Sequence, residues 1–272
     1  MAKKRASNWN TLAVEDLPPL PASEERRTGV DIRDYLRRLI LDGRIAPDTE
    51  LSQVHVARAL GVSRTPVREA LQMLGKDGLV TAEPNHRARV KAFDPAELDA
   101  LYAHRVLMES LALATSIDAF RPRDIDELSE ILDQMEAGFA DGEQAQWMRL
   151  HREFHRLMVS GTTTSMQELV NARADQTDRY QYLRLKSDPP TPRSRGAREH
   201  RALVAACRDR DRPGAVRLLA THLAQTAFEL GRVLAPAYPL AATQRALSFV
   251  DAAAEELGPS VRSAVKAAAG KG

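Results

Sequence analysis

Residues 61–74, Gly-Val-Ser-Arg-Thr-Pro-Val-Arg-Glu-Ala-Leu-Gln-Met-Leu, admit little besides a tight turn running into an amphipathic helix. Gly61 supplies the turn, and Ser63 is a good N-cap whose hydroxyl can accept from the backbone N–H groups of the first turn. Pro66 falls inside that first turn, where a missing N–H costs little. Val67, Ala70, Leu71 and Leu74 recur at helical spacing and form the face to be buried. Arg64, Thr65 and Arg68 stand at the opposite, N-terminal end, which a helix-turn-helix offers to base edges and phosphates.

The flanking segments turn this helix into a motif. Upstream, Leu51 to Leu60 has a short helical pattern that would pack Val54, Ala57 and Leu60, giving helix, turn, helix. Downstream, Gly78 to Ala82 and Arg87 to Ala92 read as two strands joined by a turn containing Pro84 and Asn85. A first helix is expected from Val30 to Leu41, carried by Ile32, Leu36, Leu39 and Ile40. The whole is a winged helix-turn-helix over residues 28–93. Residues 1–27, with Lys3, Lys4 and Arg5 ahead of Pro18, Pro19 and Pro21, read as a flexible arm.

Net charge bears on what such a unit can grip. At +2 the 272-residue chain is no polycation, so affinity for nucleic acid must come from a local patch, to which Arg87, Arg89 and Lys91 of the wing contribute. Cys207 is the single cysteine, which rules out an internal disulfide and suits a reducing, cytoplasmic setting. No run reaches the roughly 18 apolar residues of a membrane helix.

The run from Ile32 through Val90, with its Ser-Arg-Thr-Pro-Val-Arg-Glu-Ala-Leu core and Gly78-Leu79-Val80, resembles the N-terminal domain of GntR-family bacterial transcription regulators. The resemblance implies that Ser63, Arg64, Thr65 and Arg68 meet a double-stranded DNA operator, and that the wing tip, His86 and Arg87, reaches the minor groove. The family's wing tip carries glycine where this chain has Arg87, a side chain suited to a narrow minor groove.

Beyond Phe93-Asp94-Pro95, a break with good cap chemistry, only helical periodicity is found as far as about Leu234. Residues 94–235 are therefore expected to be an all-α bundle, so the fold class is mainly α with one small winged unit. Residues 236–272, alanine-rich with three prolines, read as a C-terminal extension, partly helical or disordered. Four of the 7 histidines lie in the second half of the chain, within the helical domain: His151, His155, His200 and His222. His151 and His155 are one helical turn apart and could share a divalent metal; hydrogen-bonded core histidines are the alternative reading of the same spacing.

Residues 95–234 resemble the FCD effector-binding domain of the FadR-type branch of the same family. Its metal-binding members use a polar residue four before a Phe-His pair, the His of that pair, a Glu-His and a late His. Phe154-His155, Glu199-His200 and His222 match, with His151 in place of the usual aspartate. The resemblance thus implies metal ligation by His151, His155, His200 and His222, the alternative being that His151 does not ligate and three histidines with open positions remain. An all-nitrogen set favours zinc or nickel and, with no protein carboxylate to offset the charge, a firmly held anion. Arg105, in an Arg-x-x-x-Glu arrangement with Glu109, is the candidate clamp for a small carboxylate effector, its alternative being a surface ion pair; Tyr180 and Arg184 are further candidates.

The function implied is a ligand-responsive regulator, a repressor, binding a palindromic operator as a homodimer because one recognition helix reads only a half-site. A histidine-metal enzyme is the first rival. It is disfavoured because Glu153 follows His151 by two residues, where the zinc-protease pattern needs one. An architectural DNA-binding protein with no effector is the other.

Overall fold

The computed structural model describes residues 13–18, 20, 28–83, 87–140, 144–187 and 194–257. The chain divides into two compact units, Met1–Phe93 and Asp94–Gly272.

In the first unit, helices α1 (Gly29–Leu41), α2 (Gln53–Leu60) and α3 (Arg64–Lys76) accompany a small sheet of β1 (Glu50–Ser52), β2 (Val80–Glu83) and β3 (Arg87–Val90). Thr28 opens α1 with a reciprocal capping box: it accepts from Asp31 N–H while the Asp31 carboxylate accepts from Thr28 N–H. Gly61 closes α2 in the left-handed region at φ 65°, where its N–H reaches back to the helix carbonyls. Helices α1 and α3 approach so closely at Gly29 that a Cβ there would lie 2.8 Å from Glu69 Cβ. Their shared core is Ile32, Leu36, Ile40, Val67, Ala70 and Leu74, all essentially inaccessible. Each of these side chains other than Ala70 contributes roughly 1.5–3 kcal/mol of transfer free energy.

Three expectations are corrected here. The segment read as a helix from Leu51 begins as strand β1, because Leu51 fills the core from the sheet, paired with Ala88 across an antiparallel register. Helix α2 consequently buries Val56, Ala57 and Leu60, while Val54 is exposed. The strand order is β1-β3-β2, so the wing hairpin gains a third strand. Part of the stretch read as a flexible arm is also ordered: Val14–Asp16 form a 3-10 turn, Val14 and Leu17 are buried in the unit's core, and Tyr35 OH donates to Pro18 O. Two apolar side chains four residues or fewer apart suffice to seat it, a signal too short to show as a period.

The second unit consists of α4 (Pro95–Ser116), α5 (Pro122–Ala140), α6 (Gln144–Met158), α7 (Thr164–Ser187), α8 (Arg195–Arg208), α9 (Arg212–Leu234) and α10 (Ala241–Glu256). Asp94, Ser194 and Asp211 cap α4, α8 and α9 with their side chains, and proline occupies the first turn of α4 and α9. Helix α4 packs on α7, α9 and α10, α5 on α6 and α8, and α8 on α9. The main core of the unit includes Val106, Leu113, Phe154, Leu203, Leu219 and Leu223, and Ala112, Val159 and Val170 form a smaller cluster.

Helix α10 makes residues 241–256 of the C-terminal extension helical and packs them on the bundle. Thr243, Ala246, Val250 and Ala254 are buried against the bundle, and the buried Asp99 of α4 caps the helix from across the fold. Its carboxylate accepts from Ala242 N (2.9 Å), Thr243 N (2.8 Å) and Thr243 Oγ1 (2.8 Å). An alanine-rich sequence has little apolar volume of its own; the small side chains are what allow the helix to lie close against α4 and α9.

Candidate functional site

In the first unit, the N-terminal end of α3 is presented as the sequence implied. Ser63, Arg64, Thr65 and Arg68 are all exposed, no acidic residue sits in the first turn, and Val67, Ala70, Leu71 and Leu74 hold the other face down. The helix dipole and two guanidinium groups make this end electropositive. Ser63 departs from expectation: it stands at the N-cap in extended conformation, but its side chain makes no cap hydrogen bond, which leaves the exposed hydroxyl facing outward. Arg87 is the first described residue after the wing turn. It opens β3 opposite Glu83 and Ser52, with its guanidinium 3.2 Å from Glu50 Oε2, which Arg89 also approaches at 3.5 Å. His86 lies outside the described residues.

In the second unit, three helices bring the four histidines together. His151 and His155 come from α6, His200 from α8 and His222 from α9; all are buried, and one ring nitrogen from each lies within 4.8 Å of the others. His200 Nε2 and His222 Nε2 are 3.2 Å apart. The rings of His151 and His155 are centred 4.6 Å apart, as one-turn spacing on a helix dictates. Phe154, between them in sequence, is fully buried and anchors that stretch of α6 in the core, with its ring 4.9 Å from that of His200.

Burial, then the neighbouring imidazoles and Arg105, hold His151 well below the ordinary histidine range. Burial likewise takes His222 down to about 4, against the opposing pull of its hydrogen bond to Glu199. An imidazole ring nitrogen without a proton offers a lone pair, and three ring nitrogens here are buried without a hydrogen-bond partner: His151 Nδ1 and both nitrogens of His155. Each such orphan costs roughly 1–3 kcal/mol, and a shared cation would satisfy one nitrogen of each ring. The donor set therefore fits a divalent transition metal, and four nitrogens suit zinc or nickel better than magnesium or manganese.

The outer surroundings differ from what the ligand types alone suggested. Two carboxylates stand one imidazole away: Glu199 Oε2 is 2.8 Å from His222 Nδ1, and Glu109 Oε2 is 3.5 Å from His155 Nδ1. Each carboxylate is in turn gripped by an arginine. Arg195 Nη1 donates to Glu199 at 2.5 Å and also holds Glu229. Arg105 Nε donates to Glu109 at 2.5 Å and Nη1 to Thr177 Oγ1 at 2.8 Å. Burial would raise Glu109, but the Arg105 guanidinium and His155 override it and hold the carboxyl at about 2. The Arg105–Glu109 pair is thus neither an empty clamp nor a surface pair. It is a buried pair, both side chains 3% exposed or less, facing the histidines.

Beside His151 and His155 lies a small cavity whose free space is about 10 Å³, roughly one water. Its charged lining is Arg105 and Glu109 from α4, Arg152 and Arg156 from α6, and Asp175 and Asp178 from α7. Arg152 Nε is 2.6 Å from Asp178 Oδ2, and the half-exposed Arg156 is 3.4 Å from Asp175. Tyr180 is buried but does not line this cavity, which corrects its assignment to the same pocket; the Arg184 side chain lies outside the described residues. Arg152 and Arg156 were missed, although they share with His151 and His155 one face of a helix read at 3.6 residues per turn. Glu153 is exposed, turned away from the cluster.

A winged helix-turn-helix followed by an all-α bundle defines the class of two-unit DNA-binding transcription regulators. The sequence model of the bacterial regulatory proteins of the gntR family matches residues 28–90, and that of the FCD domain residues 100–225. An HTH-type transcriptional regulator from an unstable DNA locus of Streptomyces ambofaciens is 32% identical over 221 residues, 79% of this chain and 90% of that protein. The HTH-type transcriptional regulator YdhC of Bacillus subtilis is 26% identical over 203 residues, 74% of this chain and 90% of its own. The E. coli McbR/YncC structure shares the fold at a TM-score of 0.70, with 21% identity over 77% of this chain and 99% of that one. The chain belongs to the gntR family and carries an FCD domain; it is a DNA-binding transcription regulator and not an enzyme. No helix among the described residues is long and apolar enough to cross a membrane.

Proposed function

We propose that this regulator is a metal-dependent sensor of a small carboxylate that represses transcription as a homodimer on a palindromic operator, in the cytoplasm where its DNA lies. The observation that carries the sensing half is the buried four-histidine cluster with orphaned ring nitrogens beside an arginine-lined cavity. His151, His155, His200 and His222 hold the metal, zinc or nickel, which supplies a Lewis-acid anchor for the effector carboxylate. Neutral imidazoles are the form such ligation needs, and burial keeps His151 and His222 neutral. Arg105 completes the pocket from α4, where an effector carboxylate that reaches it takes over from Glu109.

DNA is read by Arg64, Thr65 and Arg68, with Ser63 on phosphate, and by the wing through His86 and Arg87. The wing residue Arg87 must release Glu50 to do so. Two recognition helices about one helical turn apart require two chains, hence the dimer and the palindrome. With only about 10 Å³ free in the cavity, effector binding must move its walls. Such a shift biases the placement of the two DNA-binding units and releases the operator.

Elemental analysis of untagged protein tests the sensing half. About one transition metal per chain is expected in the wild type, lost in His155→Ala and His200→Ala while both variants still bind operator DNA. A wild type that binds no metal after reconstitution would refute it.

A further inference from the structure

The four histidines are not held alike. His222 is braced through Nδ1 by a hydrogen bond to Glu199 at 2.8 Å, itself gripped by Arg195; His155 makes no hydrogen bond but has the Glu109 carboxylate within ion-pair distance at 3.5 Å, gripped by Arg105. Outer carboxylates of this kind fix the tautomer and orientation of a ligating imidazole. Among the described residues, no carboxylate comes within ion-pair reach of His151, and its Nδ1 is buried without a hydrogen-bond partner. What positions its ring is a stack on the Trp147 indole, with centroids 4.7 Å apart and planes inclined by 19°. A stack of that kind restrains tilt and leaves sliding in the plane comparatively free. His151 is also, with His155, one of the two histidines that line the cavity, whereas His200 and His222 do not.

Were the four histidines to close around a metal in the tetrahedral manner of structural zinc sites, no position would be left for a fifth group. An effector must therefore expand the coordination or displace a ligand, and the ligand that gives way most easily is the one without an outer brace on the cavity side. We infer that His151 is the exchangeable member of the cluster: an incoming carboxylate takes its place, and His151 moves off along the Trp147 face. His155, His200 and His222 are the permanent ligands. The inference rests on the metal reading above and adds to it which residue moves. It also gives the exchange a mechanical output, because His151 shares α6 with Arg152 and Arg156, whose ion pairs to Asp178 and Asp175 tie α6 to α7 across the cavity.

The test uses full-length protein loaded with cobalt(II), whose visible absorption reports coordination, with sodium azide as the probe anion. The variants are His151→Ala, His151→Gln, which keeps most of the bulk should the alanine variant fold poorly, and His200→Ala. Both His151 variants are expected to retain cobalt while His200→Ala loses it. Azide should bind the His151 variants about tenfold or more tightly than wild type, because in the wild type the position is open only in the fraction of molecules where His151 has let go. Loss of cobalt from the His151 variants to the same degree as from His200→Ala, or equal azide affinity in wild type and variants, would overturn the inference. A wild type that takes up no cobalt would instead overturn the metal reading beneath it, so the two failures are told apart.

Discussion

Replacing Arg105 with methionine removes one half of the buried ion pair and leaves Glu109, 2% exposed at its side chain, without the cation 2.5 Å away. Arg105 and His155 hold the Glu109 carboxyl at about 2 rather than 4.5, in spite of burial. That difference corresponds to about 3 kcal/mol of preferential stabilisation of the charged form. Breaking one side of a buried pair typically costs about 3–5 kcal/mol, because the remaining charge is stranded, whereas replacing both partners with apolar groups is nearly neutral. Urea unfolding of the metal-free chain, followed by far-UV circular dichroism, should therefore show a loss of that size in Arg105→Met. Most of it should be recovered in Arg105→Met/Glu109→Leu. The sign with pH follows from a folded pKa below the ordinary one: the stabilisation is present above about 4.5 and is lost as pH falls toward 2. The gap between wild type and Arg105→Met should accordingly narrow on acidification. A single-variant loss below about 1 kcal/mol, or a double variant no more stable than the single, would refute the account of the pair.

Other substitutions probe the remaining parts. Arg68→Ala removes an exposed guanidinium and should weaken operator binding by about 1–3 kcal/mol in fluorescence anisotropy, with an unchanged circular dichroism spectrum; equal affinity would exclude Arg68 from the interface. Asp99→Ala deletes the cross-fold cap of α10, leaving Ala242 and Thr243 N–H unpaired, at a cost of about 1–2 kcal/mol. Amide exchange should then quicken in α10 before the rest of the bundle, and uniform exchange across the unit would show that the cap is not what seats it. Cys207 is buried, and burial pushes its thiol up to about 12, so a thiol reagent should label it slowly in the native protein and rapidly in urea at the same mildly alkaline pH.

The recognition helix was legible in the sequence because everything that defines it is local: a glycine turn, a proline in the first turn and four apolar residues at helical spacing, Val67 to Leu74. The same holds for the capped start of α4 at Asp94-Pro95 and for the one-turn spacing of His151 and His155. Local propensity, however, could not show that Leu51 belongs to a strand, since its partner Ala88 is remote in the chain. Nor could it show that Val14 and Leu17 dock on the first unit's core.

The composition and periods of the chain by themselves determined a winged unit ahead of a helical one and four histidines on three helices, because backbone preference and amphipathic spacing act over a few residues. Only the tertiary structure decided that the imidazoles converge, that Glu199 and Glu109 stand behind two of them, and that His151 leans on Trp147 at the cavity wall. Tertiary packing also decided that α10 completes the bundle, capped by an aspartate on another helix. Such contacts join residues far apart in sequence, and their energies depend on burial, which no segment possesses until the others have packed around it.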